Sequence, residues 1–174
     1  MKQTFSNFLN EPFTTKDENY DEKRIIGEND SYICKLIRED SIEDFVRHVT
    51  QTNYPLDSII LTSIYETNSY LIDKSPRLIE YAAFFGSIQV FQFLKFNKVE
   101  LNNNLWKYVI HSNNPELIHI LEENKDETTA FNFEDVVEES ILCHHNNITE
   151  YIFNISSVEQ KYSYFFHCYN FSFD

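Results

Sequence analysis

A chain of 174 residues, of which 42% are hydrophobic, is long and apolar enough to fold as one domain around its own core. Its 2 glycines and 4 prolines argue against a dinucleotide-binding turn, a phosphate loop or a hairpin-rich all-β fold, since each needs positive-φ positions that glycine fills cheaply. A formal charge of −14 repels nucleic-acid phosphates and anionic lipid headgroups, so neither is an expected partner, whereas a basic protein is compatible with it.

Residues 1–28 are polar, acidic and weakly periodic, and read as a loose N-terminal arm with a short helix near 21–26. Residues 29–174 form the domain. Ile33, Leu36 and Ile37 recur at helical spacing behind Asn29 or Asp30 as a cap. Arg38-Glu39-Asp40 breaks that stripe, and Ser41 caps a second helix with Ile42, Phe45, Val46 and Val49 on one face. Residues 50–75 are less regular. Pro55 is read as opening a helix through Ile59, Ile60 and Ile64, and Tyr70-Leu71-Ile72 as extended chain or loop.

From Pro76 the pattern becomes explicit. Leu78-Ile79-Glu80-Tyr81-Ala82-Ala83-Phe84-Phe85-Gly86 is followed by Ile88, Val90, Phe91, Phe93 and Leu94. The alanine pair lets neighbouring helix pairs approach, Gly86 reverses the chain, and the second apolar series fills the space between pairs. A shift of 27 residues places Val109-Ile110 on the alanine pair, Asn113 on Gly86, Leu117-Ile118 on Val90-Phe91 and Leu121 on Leu94. A further shift of 31 places Ser140-Ile141 on the alanine pair, His144 on the turn, and Ile148, Tyr151 and Ile152 on the second helix. Residues 34–49 fit the same shape more loosely, with Asp40 near the turn.

These residues resemble an ankyrin repeat, whose consensus has the form T-P-L-H-x-A-A-x-x-G and whose period is about 33 residues. The segments LIEYAAFFGSIQVFQFL, LWKYVIHSNNPELIHILEEN and CHHNNITEYI also resemble a divergent ankyrin-type domain of unknown function found in some protists, over roughly residues 29–174. The resemblance implies an all-α fold, a short ankyrin-like solenoid of stacked helix-turn-helix units with shortened or absent hairpin loops. It implies protein–protein interaction through a concave face, with no catalysis and no cofactor. The slots of Thr-Pro-Leu-His hold Arg77, Leu78, Ile79 and Glu80, so the hydrogen-bond network of ordinary repeats must be replaced by another.

In that frame the partner-facing slots after the alanine pair hold Phe84 and Phe85, then His111 and Ser112, then Leu142 and Cys143. The hairpin-side slots hold Lys74, Asn103 and Asn132, and the turn slots Gly86, Asn113 and His144. Phe84 and Phe85 are either a contact surface or core beneath segment 50–75 or the N-terminal arm.

Cys143-His144-His145 draws the eye as a metal cluster. Adjacent helical residues point about 100° apart, so the three cannot serve one ion together, and no metal ligand is expected. Cys143 and His111 share a repeat slot and could pair as nucleophile and base. No local signature of a cysteine hydrolase accompanies them, and no catalytic residue is expected. The alternatives are an enzyme or metal-binding protein built on the His and Cys residues, and a capping or adaptor segment of a longer ankyrin array.

Three widely spaced cysteines, Cys34, Cys143 and Cys168, without C-x-x-C suit reduced thiols. The first residues lack the apolar core of a signal peptide, and no stretch approaches the roughly 18 apolar residues of a membrane span, so a cytoplasmic location is expected. The tail holding Tyr162, Tyr164, Phe165, Phe166, Tyr169, Phe171 and Phe173 is rich in rings for one helix face to absorb. Self-association through it is expected.

Overall fold

The structure, a computed structural model, describes residues 19–124 and 132–155. Its elements are helices: α1 Tyr20–Ile26, α2 Tyr32–Arg38, α3 Ile42–Thr52, α4 Ser69–Lys74, α5 Leu78–Phe85, α6 Ile88–Phe96, α7 Leu105–Ser112, α8 Pro115–Glu123, α9 Phe133–Leu142 and α10 Asn146–Ile155. Among the described residues, β pairing is limited to one antiparallel bridge between Ile59 and Arg77. The all-α class expected for the chain is what its described residues adopt. No helix of the described residues is long and apolar enough to cross a membrane.

Eight of the helices form consecutive pairs, α2/α3, α5/α6, α7/α8 and α9/α10, each joined by a very short turn. Every turn contains one residue in left-handed backbone: Asp40 at φ 48°, Gly86 at 71°, Asn113 at 51° and His144 at 58°. That conformation costs an ordinary L-residue roughly 1–2 kcal/mol, and Asn, Asp and His tolerate it better than most. A chain this poor in glycine makes its turns from the next most tolerant residues. In each case the turn N–H donates to the carbonyl three residues back: Ile37 at 2.9 Å, Ala83 at 3.2 Å, Ile110 at 3.1 Å and Ile141 at 3.0 Å. In three of the four the following N–H reaches five residues back, from Ser41 to Leu36, Ser87 to Ala82 and His145 to Ser140. These bonds satisfy carbonyls that a helix end otherwise leaves free.

Four positions before each turn sits a buried residue: Leu36, Ala82, Val109 and Ser140. The first helices of the pairs meet at this slot, α2 on α5, α5 on α7 and α7 on α9, with α5 against α7 the most extensive contact. Ala82 and Ala83 are fully buried there, and their small size lets the backbones approach. The second helices supply the rest of the core through Val90, Phe91, Leu94, Leu117, Leu121, Ile148 and Ile152.

Successive pairs are tied turn to turn. Ser87 Oγ donates to the Ile37 carbonyl, Asn114 Nδ2 to Gly86 O at 3.4 Å, and His145 Nδ1 to Ile110 O at 2.9 Å. Asp40 accepts from the Gln89 and Val90 N–H groups at 3.1 and 3.0 Å, so the turn of one pair caps α6 of the next. Glu80 does the equivalent at the other end of the pairs. Its carboxylate accepts from the Arg77 N–H at 2.8 Å and from Asn102 Nδ2 at 3.0 Å, joining the start of α5 to the loop before α7. Of these, only the Glu80 contacts fall in the slots, 77–80, where the sequence lacks Thr-Pro-Leu-His.

Two local expectations are corrected. No helix runs through Ile59, Ile60 and Ile64. That stretch is turns and bridge, pinned by the Ile60 N–H on Pro76 O at 2.7 Å and the Leu78 N–H on Ser58 O at 3.1 Å. Ile60 alone of the three is buried: in the bridged chain Ile59 takes the opposite face, and Ile64 lies in a turn beyond the bridge. Conversely, Tyr70-Leu71-Ile72 is helical, within α4. Asn68 Oδ1 accepts from the Tyr70 and Leu71 N–H groups at 3.0 and 3.4 Å and starts the helix. The short helix expected near 21–26 is α1. It joins the inserted segment through Gly27 O, which accepts from the Thr67 N–H at 3.0 Å and Thr67 Oγ1 at 2.9 Å. The aromatic C-terminal tail, on which self-association was expected, lies outside the described residues.

Candidate functional site

The slot that follows each buried pair brings Phe84, Phe85, His111 and Cys143 together along α5, α7 and α9. Phe84 meets Phe85 edge-on with ring centroids 5.1 Å apart, and stacks on His111 at 4.8 Å. Cys143 Sγ lies 3.4 Å from His111 Nδ1 and 3.9 Å from Nε2. On the other side His111 Nε2 is 2.8 Å from Glu139 Oε1. Phe85 leans the other way, against Tyr81 at 4.7 Å, with the Arg38 guanidinium 5.9 Å from its ring centre. Arg38 is anchored by Glu28 at 2.8 Å, the Asn29 carbonyl at 2.9 Å and the Tyr81 hydroxyl at 2.8 Å.

A residue outside the repeats completes the cluster. Tyr70 of α4 stacks on Phe84 at 6.0 Å, meets Tyr108 at 5.3 Å and lies 4.2 Å from the His111 ring. The inserted segment thus covers part of Phe84, and both phenylalanines end half-buried.

The other sequence candidates lie at the edge of this cluster or outside it. Ser112 belongs to the turn, its Oγ donating to Val109 O at 2.7 Å and accepting from the Asn114 N–H at 3.2 Å. Asn132 caps α9 through the Glu134 N–H at 3.1 Å. Lys74 is exposed at the end of α4 with Nζ 5.8 Å from the Tyr70 ring, and Asn103 is exposed in the loop before α7. Leu142 is 73% exposed beside Cys143. Gly86, Asn113 and His144 are the left-handed turn residues.

The contiguous Cys143-His144-His145 therefore splits three ways. Cys143 turns to His111, His144 makes the turn, and His145 bonds the Ile110 carbonyl. The group that converges instead is His111, Glu139 and Cys143, whose ligand atoms all lie within 4.8 Å of one another. Sequence reasoning missed Glu139, although it stands four residues before Cys143 and so shares its helix face. It also missed Tyr70 and Tyr108, whose contacts are tertiary.

The electrostatics weigh against a nucleophile. Burial, and then the Glu139 charge, push the Cys143 thiol up to about 11. Cys143 is also the C-cap of α9, where the helix dipole opposes an anion. The thiol is consequently protonated near neutral pH and a weak nucleophile, although Cys143, His111 and Glu139 stand in the order of a nucleophile, base and orienting acid. Burial likewise raises the Tyr70 phenol, with Glu139 adding to it, so Tyr70 contributes a neutral ring.

Compared with family models, with curated proteins and with solved structures, the chain matches none.

Proposed function

We propose that this chain is a non-catalytic protein-binding module, an ankyrin-like stack that takes a partner along the concave side of its first helices. The observation that carries the reading is the row of Phe84, Phe85, His111, Leu142 and Cys143, which come from equivalent slots of three successive helix pairs. The row is half-buried at Phe84 and His111 and exposed at Leu142, so it joins a partly covered aromatic centre to an open apolar edge. It already stacks one aromatic ring, that of Tyr70, and a partner's aromatic or aliphatic side chain would meet the same surfaces. Helix pairs tied turn to turn are formed before binding, so association loses little ordering entropy. The charge of −14 steers a basic partner toward the stack.

The test compares partners captured by the wild-type chain with those captured by Phe84→Ala, by Leu142→Asp, and by Phe96→Asp on the second-helix side, where Phe96 is 83% exposed. Proteins lost with both row variants and retained with Phe96→Asp are the expected result. A set of partners that survives both row variants refutes the concave-face reading.

A further inference from the structure

We propose that His111, Glu139 and Cys143 form a site for a divalent cation of the zinc class, held between α7 and α9. The placement begins with spacing. Glu139 and Cys143 are four residues apart on α9 and share a face, and His111 reaches them from the last turn of α7. His111 Nε2 lies 2.8 Å from Glu139 Oε1 and 3.9 Å from Cys143 Sγ, which is nearer still to Nδ1 at 3.4 Å, and one ligand atom from each of the three residues falls within 4.8 Å of the others.

A tetrahedral centre with metal–sulfur bonds of about 2.3 Å and metal–nitrogen or metal–oxygen bonds of about 2.0–2.1 Å separates sulfur from nitrogen by roughly 3.5 Å and nitrogen from oxygen by roughly 3.3 Å. The sulfur must close by about 0.4 Å and the carboxylate withdraw by about 0.5 Å to reach those separations. Both are side-chain rotations at the rim of the stack. Coordination through Nε2 breaks its hydrogen bond to Glu139: the imidazole stays neutral by carrying its proton on Nδ1, and the Cys143 thiol proton leaves to solvent as the thiolate binds.

Charge and donor type agree with the geometry. One thiolate and one carboxylate neutralise a divalent ion, and imidazole completes the set. A sulfur–nitrogen–oxygen set suits zinc, whereas magnesium and calcium require oxygen ligands. The site lies at the C-terminal end of α9, where exposed carbonyls favour a cation. The His111 and Glu139 side chains are 18% and 15% exposed, enough for entry and little enough for desolvated ligation. Phe84 and Tyr70 clamp the imidazole ring at 4.8 and 4.2 Å, which fixes the plane in which Nε2 points. Three protein ligands leave the fourth coordination position to water. The site shares His111 and Cys143 with the proposed binding row and bridges two successive helix pairs, and metal binding alone reads it, without a partner.

The full chain, stripped with a chelator and kept reduced, is titrated with Co²⁺ and then with Zn²⁺. Expected are one cobalt per chain, a thiolate-to-cobalt charge-transfer band, the intense visible bands of four-coordinate cobalt, and loss of all of them to zinc. Cys143→Ser removes the charge-transfer band. His111→Gln and Glu139→Gln weaken cobalt binding beyond the roughly 10–100-fold that loss of an outer-shell partner costs. His144→Gln and Cys168→Ser leave the titration unchanged. Circular dichroism confirms that each variant is folded, and the wild-type titration stands without any variant. A wild-type chain that gives no charge-transfer band, or a band that survives Cys143→Ser, overturns the proposal.

Discussion

The stacked pairs and the inserted segment between α3 and α5 are built by different means. In α5 to α8 many large side chains, among them Trp106, Tyr81, Phe91, Leu94, Leu117 and Leu121, are fully buried, and the pairs rest on one another chiefly through their first helices. The inserted segment buries Ile60, Tyr65 and Leu71 but leaves Leu61 83% and Ile64 79% exposed. It is held instead by discrete polar links: Asn29 Nδ2 to Leu61 O at 2.8 Å, Ser63 Oγ to Asp30 at 2.7 Å, and Thr67 to Gly27 O. Burial of apolar area is spread over many residues and fails gradually. A polar link fails when one atom is removed. The repeats should therefore respond to volume and backbone strain as one cooperative unit, and the insert should respond locally.

The largest effect is expected at the closest contact in the stack. Ala82 is fully buried where α5 meets its neighbours, so Ala82→Leu must push two first helices apart. Overpacking of this kind costs roughly 1–3 kcal/mol. A single cooperative denaturant transition with a lowered midpoint is the expected result. A variant with wild-type stability would mean that the slot has room for a leucine, and that the helices are not held close by the alanines.

The same contrast explains what the sequence discloses. The pairs are legible because each repeats one local grammar: a buried slot, a left-handed residue four positions on, then an apolar second helix. Ala82 with Gly86, Val109 with Asn113 and Ser140 with His144 follow it. His111 and Cys143 are legible as one place because they share a slot, and Glu139 could have been added from its four-residue spacing. The insert follows no such grammar. Ile59, Ile60 and Ile64 imitate part of a helical stripe, but the bridge at Arg77 draws the chain out. With six residues α4 is too short to show periodicity, and the sequence signal it does carry is its cap, Asn68. Tyr70 reaches the site through tertiary contact alone, which no spacing in its own segment encodes.

The two glycines allow one substitution to be compared in both regions. Gly86 and Gly27 have nearly the same backbone, at φ 71° and 70°. A methyl group on Gly86 would meet Asn114 Nδ2 and Ser112 Cβ at 3.5 Å, an ordinary contact, so Gly86→Ala carries the backbone cost of roughly 1–2 kcal/mol and little more. At Gly27 the methyl group would lie 2.6 Å from Thr67 Oγ1, the atom that ties α1 to the insert. Gly86→Ala should lower the stability of the whole stack. Gly27→Ala should break the tie, releasing amide protection in α1 and around Thr67 while leaving α5 to α8 protected. Hydrogen exchange on the two variants reads both. Equal loss of protection throughout the chain in Gly27→Ala would show that insert and stack form one cooperative unit.

The smallest effect on stability, and the most informative about the site, is expected at Asn68. Its Oδ1 receives the Tyr70 and Leu71 N–H groups in the first turn of α4, and loss of such a cap costs roughly 0.5–2 kcal/mol. In a helix of six residues that cost falls on the helix itself, because little else holds its backbone. Asn68→Ala should therefore unravel α4 with at most a minor change in global unfolding. Tyr70 is then freed from Phe84 and His111, and two half-buried rings of the row become open to solvent. A partner that uses this row would bind Asn68→Ala more tightly than wild type, since Tyr70 no longer competes for the same surface. Tyr70→Ala supplies the control: it removes the competing ring and leaves the cap intact, and should strengthen binding to the same extent. If both variants weaken binding instead, Tyr70 is itself part of the surface the partner recognises, and the insert belongs to the binding face as fully as the stack does.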